Sequence, residues 1–166
     1  MQQLHPIIRR LFEKKGFDQK MIEDFLSWDL KTIPNMSSLK DLQKASKRII
    51  EAIDKEEKIG IYGDYDVDGT TSCALLYHFF QVLGVHVNTV QPSRFIEGYG
   101  LHLSSIDEAV ENKLKILITV DCGISNNEAA DYAKEKGLDL IITDHHKDAR
   151  ETMPNAFAVI NPNRRD

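Results

Sequence analysis

The stretch Gly63-Asp64-Tyr65-Asp66-Val67-Asp68-Gly69-Thr70-Thr71 follows directly on the apolar run Ile59-Gly60-Ile61-Tyr62. Three acidic residues stand at every second position. In an extended backbone alternate side chains point the same way, so these carboxylates would crowd one face. Such crowding is unfavourable unless a cation or shared protons offset the repulsion. A divalent metal site is therefore the first expectation.

Outward from this stretch the pattern alternates between strands and helices. Ile59–Tyr62 reads as a strand and Thr70–Leu83 as an apolar helix closed by Gly84. Val85–Val90, Lys115–Val120, Leu138–Thr143 and Ala156–Ile160 read as further strands. Helices are expected at Leu103–Asn112 and after a Ser125/Glu128 capping box, the latter closed by Gly137. Repeated β-α-β units predict an α/β fold, a parallel β-sheet flanked by helices on both faces. Residues 1–57 read as an N-terminal helical lead-in: two helical pieces split near Gly16 with Asp18 as N-cap, a turn at Pro34-Asn35, and a helix to about Ile53 signalled by Ser38 and Asp41. The domain boundary is expected between residues 57 and 58.

The 166 residues suffice for a sizeable core, and a net charge of −5 argues against a simple module that binds nucleic-acid backbones through basic charge. It leaves open an enzyme whose metal ions meet the phosphate. Two cysteines, Cys73 and Cys122, are too few for a disulfide scaffold. Cys122 reads as a small buried filler. No apolar run approaches the ~18 residues of a membrane span, and the basic N-terminus lacks a signal-peptide pattern. A cytoplasmic protein without membrane contact is expected.

The strand ends carry the chemistry. The first runs into Asp64, Asp66 and Asp68, the third into Asp121-Cys122-Gly123, and the fourth into Asp144-His145-His146. In an open parallel sheet ligands bind beyond the carboxyl ends of the strands. One aspartate there is an ordinary helix cap; three such ends with a His-His pair point to metal chemistry. Two decoys fit the opening stretch alone. An EF-hand loop would need a glutamate where this chain has Leu75, and its flanks would be two helices. Asp66-Val67-Asp68-Gly69-Thr70 also resembles the DxDGT motif of haloacid-dehalogenase-type phosphatases. That family's strand leads straight into the first aspartate, and it has no use for Asp144-His145-His146.

Taken together, Tyr62–Thr71, Val120-Asp121-Cys122-Gly123 and Thr143-Asp144-His145-His146 resemble the first three motifs of the DHH phosphoesterase family, in its RecJ-type single-strand exonuclease branch. Arg94-Phe95-Ile96-Glu97-Gly98-Tyr99-Gly100-Leu101 is similar to a loop of that branch. The resemblance implies two divalent cations, with manganese preferred or magnesium. It implies Asp66, Asp68, Asp121 and His145 as ligands, and Asp64 as a ligand or a partner of one. His146 would contact the scissile phosphate and Asp144 would orient a histidine. Arg94 is a candidate phosphate contact, though an ordinary surface arginine reads the same way, and Gly98 and Gly100 permit a sharp turn.

The implied activity is metal-dependent hydrolysis of single-stranded DNA from the 5′ end, in DNA repair and recombination. A single-strand-binding protein or a helicase is a further candidate partner. The alternatives are hydrolysis of short oligonucleotides, cyclic dinucleotides or pyrophosphate, and a non-catalytic scaffold in replication. Enzymes of the former kind usually begin the first motif with a histidine where this chain has Tyr62. Family members carry a further metal-binding aspartate and a second domain after the third motif. The chain thus reads as an N-terminal fragment with the DHH domain incomplete, expected to be inactive or weak alone.

Overall fold

A computed structural model describes residues 4–27, 29, 31, 33, 35–92, 98–147 and 152–164. The chain forms two compact units, Met1–Met36 and Ser37–Asp166.

In the first unit, α1 (Pro6–Lys14) and α2 (Gln19–Leu26) are separated at Gly16, whose φ of 78° is the left-handed conformation that ends a helix. Asp18 caps α2 by accepting from the Met21 amide at 2.8 Å, as its spacing predicts. Phe12, Phe17 and Phe25 pack ring against ring with centroids 5.3 to 5.7 Å apart. The expected turn at Pro34 lies outside the described residues.

The second unit is a five-stranded, wholly parallel sheet of order β2-β1-β3-β4-β5. Its strands are β1 (Ile59–Gly63), β2 (Val87–Val90), β3 (Ile116–Val120), β4 (Asp139–Thr143) and β5 (Ala158–Ile160). The central strands β1 and β3 are buried along their whole length, as near-continuous apolar runs in a two-faced parallel sheet should be. The sheet is covered by α3 (Leu42–Asp54), α4 (Val67–Val82), α5 (Leu103–Glu111) and α6 (Asn127–Glu135). Ile106, Ala109, Ala130 and Ala133 from α5 and α6 pack with Leu117, Leu140 and Ile142 into one core layer. Ala45, Ala52, Cys73 and Phe80 from α3 and α4 pack with Ile59, Ile61, Ile118 and Ile141 into the other. The parallel sheet with helices on both faces is the expected α/β architecture. Within it α3, read from sequence as part of the lead-in, belongs to the same compact unit as the sheet.

Three local readings are corrected. The helix after β1 starts at Val67 rather than Thr70, because Asp66 accepts from the Gly69 amide at 2.9 Å and so closes the first turn. The acidic residues therefore do not alternate along an extended strand. Asp64 follows the strand, Asp66 is the N-cap, and Asp68 lies in the first helical turn. The Ser125/Glu128 box does not form as read: α6 starts at Asn127, which puts that pair one residue out of register, and the N-cap Asn126 turns its side chain to the Leu101 carbonyl at 3.1 Å. Asp41 is the N-cap of α3 by position, but its carboxylate reaches β5 instead of the helix amides.

Candidate metal centre at the β1–β3 switch point

Strand register explains why residues distant in sequence meet. Gly63 pairs with Val120 and Val120 with Thr143. The next residue on each strand is an aspartate, so Asp64, Asp121 and Asp144 stand side by side, about 4.8 Å from strand to strand. All three are buried, at 4%, 8% and 7% exposure. The chain winds from β1 outward to β2 on one side, and from β3 through β4 to β5 on the other. Their junction is the switch point at which open α/β sheets bind ligands.

Asp144 is the hub at the end of β4. Its Oδ1 accepts from the amides of His145 (2.7 Å) and His146 (2.9 Å) and from His146 Nδ1 (2.8 Å). Its Oδ2 accepts from the Ile124 amide at 3.0 Å, tying the loops after β3 and β4 together. The bond from Asp144 favours the imidazolium and raises the pKa of His146. From the far side, Asn161 donates to the His146 carbonyl at 2.9 Å and Asn163 to the His145 carbonyl. These two asparagines support the His-His backbone and were missed as site residues. The only signal was their place in a run after the last strand, which says nothing about what they touch.

Asp121 carries the strain of the site. Its φ of 61° is left-handed, a conformation non-glycine residues hold at a cost and which clusters at functional sites. Two residues on, Gly123 has a φ of 111°, and a Cβ there would meet Thr119 Oγ1 at 3.0 Å. Thr119 Oγ1 in turn donates to the Cys122 carbonyl at 2.8 Å, which fixes the turn. Burial, followed by the neighbouring Asp66 carboxylate, pushes the pKa of Asp121 up. Asp66 moves the other way, held down chiefly by the Gly69 amide. His145 Nε2 lies 2.9 Å from Asp121 Oδ1. Asp121 Oδ2 is buried and has no hydrogen-bond partner among the described residues.

Ligand atoms of Asp121, His145 and His146 all lie within 4.8 Å of one another. Asp66 reaches the same group through Asp121. Asp68 stands on the wall of an open cleft of about 360 Å³ shared with Thr71, Ser72, Asp121 and His145. Asp64 is brought to the same sheet edge but is buried, with Oδ1 accepting from the Tyr65 amide at 2.7 Å. Arg94 lies outside the described residues. Cys122 is buried as expected; burial and the nearby carboxylates raise its pKa and keep it a thiol.

A buried carboxylate oxygen without a partner, next to a second carboxylate, is costly unless a cation takes it up. Oxygen donors from Asp66, Asp68 and Asp121 with imidazole nitrogen from His145 fit a borderline-hard divalent ion such as manganese, with magnesium favoured less by the imidazole.

Known proteins resemble this chain over most of its length. The Bacillus subtilis single-stranded-DNA-specific exonuclease RecJ is 40% identical over 164 residues, which cover 97% of this chain and 21% of that protein. A crystal structure of exonuclease RecJ bound to manganese matches with a TM-score of 0.70 at 35% identity, over 78% of this chain and 33% of the other. RecJ from Thermus thermophilus in complex with Mn2+ matches with a TM-score of 0.68 at 30% identity, over 91% and 20%. The chain spans 21% to 28% of the length of the first curated relatives it matches. Residues 58–166, about two thirds of the chain, match the N-terminal domain of the DHH family. Every strand end that gathers the acidic and imidazole groups falls inside that segment, and the chain belongs to the DHH family.

Proposed function

We propose that this chain carries the metal-holding part of a phosphodiesterase that degrades single-stranded DNA from its 5′ end, in DNA repair and recombination. The observation that carries the reading is the convergence on the buried carboxylate of Asp121, one of whose oxygens has no hydrogen-bond partner among the described residues. Asp66 and the His145-His146 pair approach that carboxylate from two other strand ends, His145 at Oδ1. Similarity to single-stranded-DNA-specific exonucleases supports the substrate, and the polarity follows the resemblance of the motifs to the RecJ-type branch. Single-strand-binding proteins and helicases, which hold or generate such strands, belong to the same reading as partners.

Asp66, Asp68, Asp121 and His145 are the residues that would hold two divalent cations, manganese in preference to magnesium, with Asp64 braced beneath them. When bound, such ions neutralise charge on the phosphoryl oxygens and make water a nucleophile near neutral pH. The chain's own residues contribute position and protons. Asp144 engages Nδ1 of His146 and leaves its Nε2 to face the phosphate. The bond to Asp144 raises the pKa of His146 and so favours the imidazolium, the form in which Nε2 donates to negative charge developing on a non-bridging oxygen.

The test offers the full-length protein single-stranded DNA, duplex DNA, a dinucleotide and pyrophosphate, each with manganese. Single strands labelled at the 5′ end should be digested fastest, and Asp121→Asn or His145→Ala should lower the rate at least a hundredfold. Turnover of pyrophosphate or the dinucleotide ahead of DNA would overturn the substrate, and near-normal cleavage by both variants would overturn the site.

A further inference from the structure

Between the first two acidic residues of the opening stretch stands Tyr65, and its ring packs against Tyr99. The centroids lie 4.4 Å apart with 41° between the planes. Tyr99 is 63% exposed and sits between Gly98 and Gly100, whose φ values of 79° and 92° are both left-handed. The backbone beside it is anchored twice from below. Buried Tyr62 donates its hydroxyl to the Gly100 carbonyl at 2.8 Å, and Asn126 donates to the Leu101 carbonyl at 3.1 Å. Gly100 also lies so close to Asn126 that a Cβ would come within 3.2 Å of it. The chain thus fixes this turn firmly and presents a large aromatic ring to water at its tip. Burying that ring would have been the stabilising use of it.

Position gives the ring a purpose. One residue beyond Tyr65, a Cα step of about 3.8 Å, is Asp66, whose carboxylate meets Asp121. One ring of the aromatic pair thus belongs to the sequence neighbour of a cluster aspartate.

We propose that Tyr65 and Tyr99 form a stacking platform for the base of a nucleotide adjoining the phosphate held at the Asp66–Asp121–His145 cluster. This rests on the phosphodiesterase reading and deepens it, because it assigns the ligand as an unpaired nucleotide recognised through its π-face. Stacking on an aromatic side chain tolerates every base and requires that the base be free of its own neighbours. It also suits a chain of net charge −5, whose composition argues against holding a strand mainly through phosphate contacts to basic side chains.

The experiment compares the full-length wild type, Tyr99→Ala and Tyr99→Trp on two manganese-supported substrates: an ordinary oligothymidylate, and the same strand with abasic sugars in its first positions. Tyr99→Ala should raise KM for the ordinary strand about tenfold, equivalent to about 1.4 kcal/mol, with kcat little changed. Tyr99→Trp should restore it, and all three proteins should handle the abasic strand alike. Without metal, a strand ending in a fluorescent base analogue should be quenched on binding to the wild type and Tyr99→Trp, and not to Tyr99→Ala. An unchanged KM in Tyr99→Ala, or an equal loss on both strands, would overturn the platform while leaving the phosphodiesterase reading intact. No hydrolysis of either strand by the wild type would overturn that reading and the platform with it.

Discussion

Gly69 shows how little freedom single residues have around the acidic stretch. A Cβ at this position would lie 2.3 Å from the carbonyl oxygen of Asp64 and 2.7 Å from its backbone nitrogen. The same glycine supplies the amide that holds Asp66. One missing side chain therefore lets the first turn of α4 press against the end of β1 and sets the positions of two aspartates at once. Gly69→Ala should destabilise the protein by about 1–3 kcal/mol, the usual cost of overpacking, as measured by urea denaturation. It should also weaken manganese binding, because the displaced turn moves Asp66 away from Asp121. A variant as stable as the wild type would show that the Asp64 backbone yields more easily than the packing implies. Gly84, where a Cβ would meet nothing within 4 Å, is the natural control. Its alanine variant should lose only the conformational cost of a φ of 72°.

At the scale of elements, the strands and most helices were legible because apolar runs and left-handed glycines report directly on the backbone. What misled were caps whose side chains serve distant partners. Asp41 looks like a local helix-start signal, yet its carboxylate accepts from the Val159 amide at 3.1 Å and from Arg164 at 2.9 Å. No sequence spacing reveals a bond across more than a hundred residues. This clasp joins the start of α3 to β5 and makes a pH prediction. Burial alone would raise the pKa of Asp41, but the Arg164 bond and the Val159 amide outweigh it and bring it below the usual 3.8. A depressed carboxyl pKa stabilises the fold fully above the unfolded value and loses that contribution as pH falls through the folded one. Asp41→Asn keeps an oxygen for Val159 and tolerates the φ of 62°, so it removes the charge and little else. At pH 7 it should cost about 1–2 kcal/mol. Denaturation curves should show that gap steady down to about pH 5 and closing below about pH 4. A gap independent of pH would mean that geometry, not charge, holds the clasp.

For the whole molecule, the candidate site was legible from sequence because a parallel sheet brings all its strand ends to one edge, so acidic endings read separately could be placed together. The parts not legible depend on turns. Crowding was expected among Asp64, Asp66 and Asp68, whereas the close carboxylate pair is Asp66 with Asp121, made across two strand ends by a helix cap and a strained φ. That arrangement opposes folding: it holds Asp121 in left-handed backbone, buries one of its oxygens without a partner among the described residues, and sets a second carboxylate beside it. Stability and metal binding should therefore respond in opposite directions to one substitution. Asp121→Asn removes the repulsion, keeps an oxygen for His145 Nε2, and suits the φ of 61° better, since asparagine adopts left-handed backbone more readily than most residues. In chelator the variant should be more stable than the wild type by about 1 kcal/mol. Manganese at about a hundred times its dissociation constant should then stabilise the wild type by about 2.7 kcal/mol, a rise in Tm of several degrees for a chain of this size. The variant should gain little. Thermal denaturation of both proteins, with chelator and across a manganese titration, measures the two effects together. Equal manganese shifts would remove Asp121 from the ligand set, and a variant less stable than the wild type in chelator would show that the strained aspartate supports the fold rather than opposing it.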